Sequence, residues 1–262
     1  MRVLSLDWDY FLDTTLEERV TQFPDSGNEN LGNIVSNMVW TTRYVDSERV
    51  SNNVEGIRKI QDMKDNKEAT IAVLQALSTS RFAFMSVDSH KWLGEFLTEP
   101  SLYSVLSDLY LKDTDLQTLE IVNIDHHSDL YGNGKSLDCG NWLNKVMEKY
   151  PKAKLLWLGN VDSPNDEIDT LEYKNRITYT TDISDIKNRE FDFVFLCRSD
   201  IWTPPHLDGA FRKFDKSLRK RAAYTLTDLT LESRWTTMEK EIAEVKEQYK
   251  KLGLLEKLSL AN

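Results

Sequence analysis

Six short runs rich in β-branched and aromatic residues recur along this chain, at 2–6, 81–87, 119–124, 153–158, 176–180 and 191–197. Several lack the strict in–out alternation of a half-exposed strand, which is how strands buried on both faces of a parallel sheet read. Helix-like stretches lie between them. One covers 69–77 behind Lys67-Glu68, one covers 92–109 with Pro100 interrupting it, and one covers 142–150 and stops before Pro151. Strand alternating with helix predicts an α/β fold, a three-layer α/β/α sandwich with a mostly parallel sheet. A length of 262 residues suits one such domain over 1–262. Two segments fall outside the alternation. Within 16–53, the Asn-, Gly- and Ser-rich 25–33 reads as a loop and 34–44 as helical. The C-terminal piece, about 231–255, reads as a charged helix over 233–252, with Glu239, Lys240, Glu241, Glu244, Lys246 and Glu247 on its polar side. The basic run 212–221 reads as a solvated face.

Composition excludes several functions. The net charge of −10 argues against nucleic-acid binding, which wants a basic face, and is compatible with a cationic substrate. No apolar run approaches the roughly 20 residues of a membrane helix. The N-terminus lacks a signal-peptide core, so the expected location is the cytoplasm. The two cysteines, Cys139 and Cys197, form no CxxC and support neither a disulfide framework nor a cysteine-based zinc site; both read as buried thiols. The stretch Gly132-Asn133-Gly134-Lys135 lacks the spacing of a phosphate loop, and no GxSxG elbow is present.

In open parallel sheets, ligands bind at the carboxyl ends of the strands, and every chemically suggestive cluster of this chain follows a strand-like run. After 119–124 comes Asp125-His126-His127-Ser128-Asp129. In an extended backbone Asp125, His127 and Asp129 would point one way and His126 the other. Carboxylate oxygen with imidazole nitrogen suits a divalent Mn, Fe, Co or Zn. After the first run, Asp7 and Asp9 stand at i, i+2 in Ser5-Leu6-Asp7-Trp8-Asp9. Two bare carboxylates so close would leave one protonated unless a cation sits between them. His90 follows the second run. The last run leads into Arg198-Ser199-Asp200, where Asp200 is a further carboxylate, and through the stiff Pro204-Pro205 step to His206, a possible proton shuttle.

Taken together these clusters resemble the arginase/agmatinase (ureohydrolase) superfamily. Asp125-His126-His127-Ser128-Asp129 resembles its D-x-H-x-D signature, Ser5-Leu6-Asp7-Trp8-Asp9 its S-F-D-x-D motif, and Val87-Asp88-Ser89-His90 its G-G-D-H-S motif. The resemblance covers about 25 residues. It implies that Asp7, Asp9, His90, Asp125, His127 and Asp129 hold two Mn2+ ions, with Fe2+, Co2+ or Zn2+ as alternatives. It also implies that Asn141, in Gly140-Asn141, contacts substrate. Cys139–Trp142 and the W-x-P-P loop are similar to a divergent branch that includes peptide arginases, which convert arginine in precursor peptides to ornithine. Two departures stand out. In ordinary arginases the S-F-D-x-D motif comes last, whereas here it comes first, so either Asp7 and Asp9 are the ligands or Asp200 replaces one of them. Leu143 occupies the place of the family's shuttle histidine, which leaves His126 or His206.

The expected activity is hydrolysis of an arginine guanidinium, within a peptide, to ornithine and urea, with Asp129 holding the water nucleophile. Asp200, Asp88 and Asp138 are the carboxylates that could grip the guanidinium. Two other readings compete. A Zn-dependent deacetylase-like amidohydrolase needs one ion, two Asp, one His and tandem histidines. A non-catalytic peptide-binding module needs no ion.

Overall fold

A computed structural model describes residues 1–23, 32–99, 118–132, 136–227 and 231–251. The expected helical residues 100–109, most of the loop 25–33 and the end of the C-terminal piece lie outside these. The chain divides into two compact units. The first comprises Met1–Phe11, Asn66–Ser199 and Phe211–Leu231; the second comprises Leu12–Asp65, Asp200–Ala210 and Glu232–Asn262.

The first unit is built on seven strands: β1 (Arg2–Asp7), β2 (Ala83–Val87), β3 (Glu120–Ile124), β4 (Lys154–Leu158), β5 (Ile177–Thr180), β6 (Phe193–Cys197) and β7 (Tyr224–Thr225). They form one sheet in the order β5-β4-β3-β1-β6-β2-β7, with every neighbouring pair parallel. The six expected runs coincide with β1 to β6. The seventh strand was not anticipated: its two residues are both exposed and too short to show any period. Strands β1 and β6 are buried almost end to end, which explains their missing alternation.

Helices cover both faces of the sheet. On one face lie α4 (Lys91–Thr98) and α5 (Trp142–Lys149). Their Leu93, Phe96, Leu97, Trp142, Val146 and Met147 pack against Val3, Ile121, Trp157, Phe193 and Phe195. On the other face, α6 (Asp208–Arg219) lays the Arg219 guanidinium 5.4 Å from the centre of the Phe84 ring. Phe211 and Phe214 of α6 pack there on Trp8. Helix α3 (Lys67–Ala76), capped by the Asn66 side chain on the Ala69 N–H, packs on the turn that holds Trp8 and Phe11. This is the expected three-layer sandwich. Its sheet reverses direction of growth around β1, between β3 and β6, and the carboxyl ends at such a reversal are where open parallel sheets bind ligands. Among the described residues no helix is long and apolar enough to cross a membrane.

The second unit contains α1 (Leu16–Gln22), α2 (Gly32–Asn53) and α7 (Trp235–Lys251). Helix α1 starts on a reciprocal cap between Thr15 and Glu18. Helix α2 runs further than the expected 34–44. Phe23, Trp40, Tyr44, Ile60, Met63, Met238 and Ile242 make the core of this unit. The Arg234 guanidinium sits buried on the Asp208 carboxylate, Nη2 to Oδ1 at 2.6 Å.

Helices α4 and α5 approach closely because position 94 is glycine. A Cβ there would lie 2.8 Å from the Trp142 Cβ and 2.9 Å from the Leu137 Cδ1. Gly94→Ala is expected to cost about 1–3 kcal/mol through overpacking, read as a lower denaturant midpoint at unchanged slope. An unchanged midpoint would mean that the two helices do not meet at this glycine.

Candidate metal centre

Strand β1 ends at Asp7, and the chain then winds into a short 3-10 turn, Trp8–Phe11. The Asp7 Oδ1 accepts the Asp9 backbone N–H at 2.9 Å, so the first carboxylate shapes the turn that carries the second. The i, i+2 pair therefore does not share a strand face as expected. Asp7 reaches His90, with Oδ2 3.0 Å from Nδ1, and Asp9 reaches His127, with Oδ2 3.0 Å from Nδ1.

The same device recurs after β3, which ends at Ile124. The Asp125 Oδ1 accepts the His127 N–H at 2.8 Å. Asp129 then adopts a left-handed backbone (φ 54°), a region that aspartate tolerates better than most residues. The segment is thus a chain of tight turns, not the extended run expected from alternation. It still turns Asp125, His127 and Asp129 toward one cluster and His126 away. The Trp142 Nε1 donates to Asp129 Oδ2 at 2.5 Å, and Asn123 Nδ2 donates to Asp125 Oδ2 at 3.3 Å.

His90 stands at the start of α4 and is buried. Its ring stacks on Trp142, with centroids 5.4 Å apart and planes 4° from parallel. Ser5 Oγ lies 2.9 Å from Nε2. That contact holds the ring from behind, so that Nδ1, which faces Asp7, is placed to ligate a cation.

Among the described residues, three sets of potential ligand atoms lie within 4.8 Å of one another: Asp9, Asp125 and His127; His90, Asp125 and Asp129; and Asp7, His90 and Cys197. The first two sets share Asp125. All six residues expected as ligands are drawn into this one cluster, and all of them except His127 are buried.

Burial and the mutual repulsion of neighbouring carboxylates dominate the electrostatics. Burial, then the charges of Asp129, Asp7 and Asp9, hold Asp125 well above the usual carboxylate range. Burial and the charge of Asp9 raise Asp7 despite its bonds from His90 and Ser199. Asp129 is pushed up to about 7, chiefly by burial, with Asp7 adding to it against the pull of His90. His90 is itself raised: burial works against its charged form, but the hydrogen bond and charge of Asp7 outweigh that. Nearby, Asn123 Oδ1 is buried with no hydrogen-bond partner among the described residues, which costs free energy in an apolar interior. Oxygen and imidazole donors at these distances could hold divalent metal ions.

The other expected site residues lie as follows. His126 is buried, with Nδ1 3.1 Å from Asn160 Oδ1 and 3.4 Å from Ser163 Oγ. Asn141 spends its amide on its own loop, accepting the Asp138 N–H and donating to the Ser136 carbonyl, both at 2.9 Å. Asp88 is half-buried just past β2, and Trp92 Nε1 donates to it at 3.3 Å. Asp200 and His206 belong to the second unit. There Asp200 faces Arg234 at 3.7 Å. His206 Nε2 faces the Met63 carbonyl at 3.0 Å, its Nδ1 faces the Tyr44 hydroxyl, and burial lowers its pKa. Cys139, expected to be buried, is half-exposed; Cys197 is buried as expected.

Sequence reasoning missed Ser5, Trp142, Ser199 and Cys197. Ser5 was legible, two residues before Asp7 on the same strand face. Cys197 was not, because only the β1–β6 register sets it beside Asp7.

Searches of protein-family models, of curated proteins and of solved structures find no match for this chain.

The raised carboxylates set a pH dependence. The folded chain holds a proton on Asp129 up to about pH 7, whereas an unfolded aspartate loses it near 3.9. The metal-free protein therefore loses stability as pH rises through 7, and its melting temperature is expected to be lower at pH 8 than at pH 5. Mn2+ at about a hundred times its Kd should add about 2.7 kcal/mol, roughly 5–10 °C for a chain of this size, with a larger gain at pH 8. Asp129→Asn, which keeps the left-handed turn, should flatten the pH dependence and shrink the metal gain. Calorimetry showing no response to Mn2+, Co2+ or Zn2+ at any pH would refute the cation site.

Proposed function

We propose that this chain is a metal-dependent hydrolase that cleaves the guanidinium of arginine, within a peptide, to ornithine and urea. Two divalent cations, Mn2+ first and Fe2+, Co2+ or Zn2+ as alternatives, would be held by Asp7, Asp9, His90, Asp125, His127 and Asp129. The observation that carries the reading is the pair of ligand groups Asp9/Asp125/His127 and His90/Asp125/Asp129, joined through Asp125. The resemblance of the same residues to the ureohydrolase motifs supplies the substrate class.

When bound, the ions supply electrostatic activation of water toward hydroxide near neutral pH. The protein's own groups do the rest. Asp129, through the oxygen other than the one Trp142 holds, takes the water's proton. The water oxygen bonds to the guanidinium carbon. The bond from that carbon to the side-chain nitrogen then breaks, and Asp129 returns the proton to the departing amine. Asp88 pairs with the planar guanidinium by two hydrogen bonds, with Trp92 steadying its Oδ1. The net charge of −10 attracts a cationic substrate.

Asp125 belongs to both ligand groups, so Asp125→Ala should cost both ions, whereas His127→Ala should cost one; urea release should fall to background in each. Metal analysis of the purified protein gives the count, and mass spectrometry of arginine-containing peptides gives the reaction, a loss of about 42 Da as guanidine becomes amine. Full activity in either variant would sink the assignment. A single tightly held zinc would favour the deacetylase-like reading instead.

A further inference from the structure

We propose that the cation position at His90 is completed by the thiolate of Cys197, so that the two positions of the centre differ in chemistry. The proposal rests on the metal reading above, not on the arginine substrate. Cys197 closes β6, and its Cα is in register with that of Asp7 across the β1–β6 pair. Parallel partners point to the same face of a sheet, so Sγ lies beside the Asp7 carboxylate. Asp7, His90 and Cys197 each offer one ligand atom, all within 4.8 Å of one another, and all three residues are buried.

The surroundings hold this set in place from behind. Ser5 Oγ at Nε2 orients the His90 ring so that Nδ1 faces Asp7. Ser199 has a left-handed backbone (φ 51°), a conformation serine rarely takes. That turn lets its hydroxyl donate to Asp7 Oδ2 at 2.5 Å while lying 3.5 Å from Cys197 Sγ. Backbone strain kept to orient a hydroxyl on two neighbouring ligands is the arrangement expected of a supporting shell. In the metal-free chain, burial and then the charge of Asp7 keep the thiol protonated. Binding breaks the S–H bond, forms a sulfur–metal bond and releases the proton to solvent, because a coordinating thiol is deprotonated outright.

The consequence is selectivity. Sulfur favours Zn2+, Co2+ or Fe2+ over Mn2+, whereas Asp9, Asp125 and His127 offer only oxygen and nitrogen. The centre would thus take one borderline ion at His90 and a harder one at His127.

Cobalt titration of the full-length metal-free protein tests this. Two equivalents should give visible d–d absorption, and one of the two should add a near-ultraviolet sulfur-to-cobalt charge-transfer band. Cys197→Ser should lose that band and keep the visible absorption. Cys139→Ser, at the other cysteine, and Asp9→Asn, in the other ligand group, should keep it. X-ray absorption of the zinc-loaded wild type needs no variant and should show one sulfur at about 2.3 Å. Two bound cobalt ions without the band, a band that follows Cys139, or zinc with no sulfur neighbour would each overturn the proposal while leaving the binuclear reading intact. Failure to bind any cobalt would overturn both.

Discussion

Four aspartates buried around one small volume repel one another, and that repulsion is what the first unit is organised to contain. Two carboxylates about 4–5 Å apart repel by about 3–4 kcal/mol at an effective dielectric near 20. Asp9 with Asp125, and Asp125 with Asp129, bring carboxylate oxygens within 4.8 Å of each other. The fold answers with donors. The Asp9 and His127 N–H groups bond the preceding aspartates, Trp142 and Ser199 donate to Asp129 and Asp7, and Asn123 donates to Asp125. These contacts fix the carboxylates without neutralising them. Burial first, and then the neighbouring carboxylates, raise the pKa values of Asp7, Asp125 and Asp129, and the proposed cations would offset both.

The architecture explains why the charge collects at one spot. Strand β1 lies between β3 and β6, and all three run the same way, so their carboxyl ends emerge together. The side chains arrive by several local devices. Asp9 and His127 come through turns closed by an aspartate onto the N–H two residues on, Asp129 through its left-handed backbone, and His90 from the N-cap of α4. Helix α5 serves twice, stacking Trp142 on His90 and donating its indole N–H to Asp129. The close approach at Gly94 lets α4 and α5 bring those two rings together.

The strands, and the residues of the candidate site, were legible because both are local. Apolar runs without alternation announce a buried parallel strand, and Asp-His-His-Ser-Asp carries its chemistry in five consecutive residues. The route by which those residues converge was not legible. Alternation placed Asp125, His127 and Asp129 on one extended face, but the strand stops at Ile124 and the turns do the work. Cys197 and Ser199 lie about 190 residues from Asp7 (192 for Ser199), and no local pattern ties them to it. Nor did composition separate the two units, since the second is assembled from three stretches. The histidine after the proline pair invited a catalytic reading, yet both of its ring nitrogens face partners within its own unit.

The central position of β1 also governs when this molecule can come into being. Its partners arrive late: Arg2 meets Glu120 at a separation of 118 residues, and Asp7 meets Ser199 at 192. At roughly 5–20 residues per second of synthesis, the first strand waits on the order of 10–40 seconds for its last neighbour, with both hydrogen-bonding edges open. The Ser199 bond that fixes Asp7 cannot form in that interval, because Ser199 has yet to be made. Contacts of such long range slow folding, and an unpaired apolar strand invites pairing with other chains. The wait for β6 is the time for which that edge of β1 stays open to other chains.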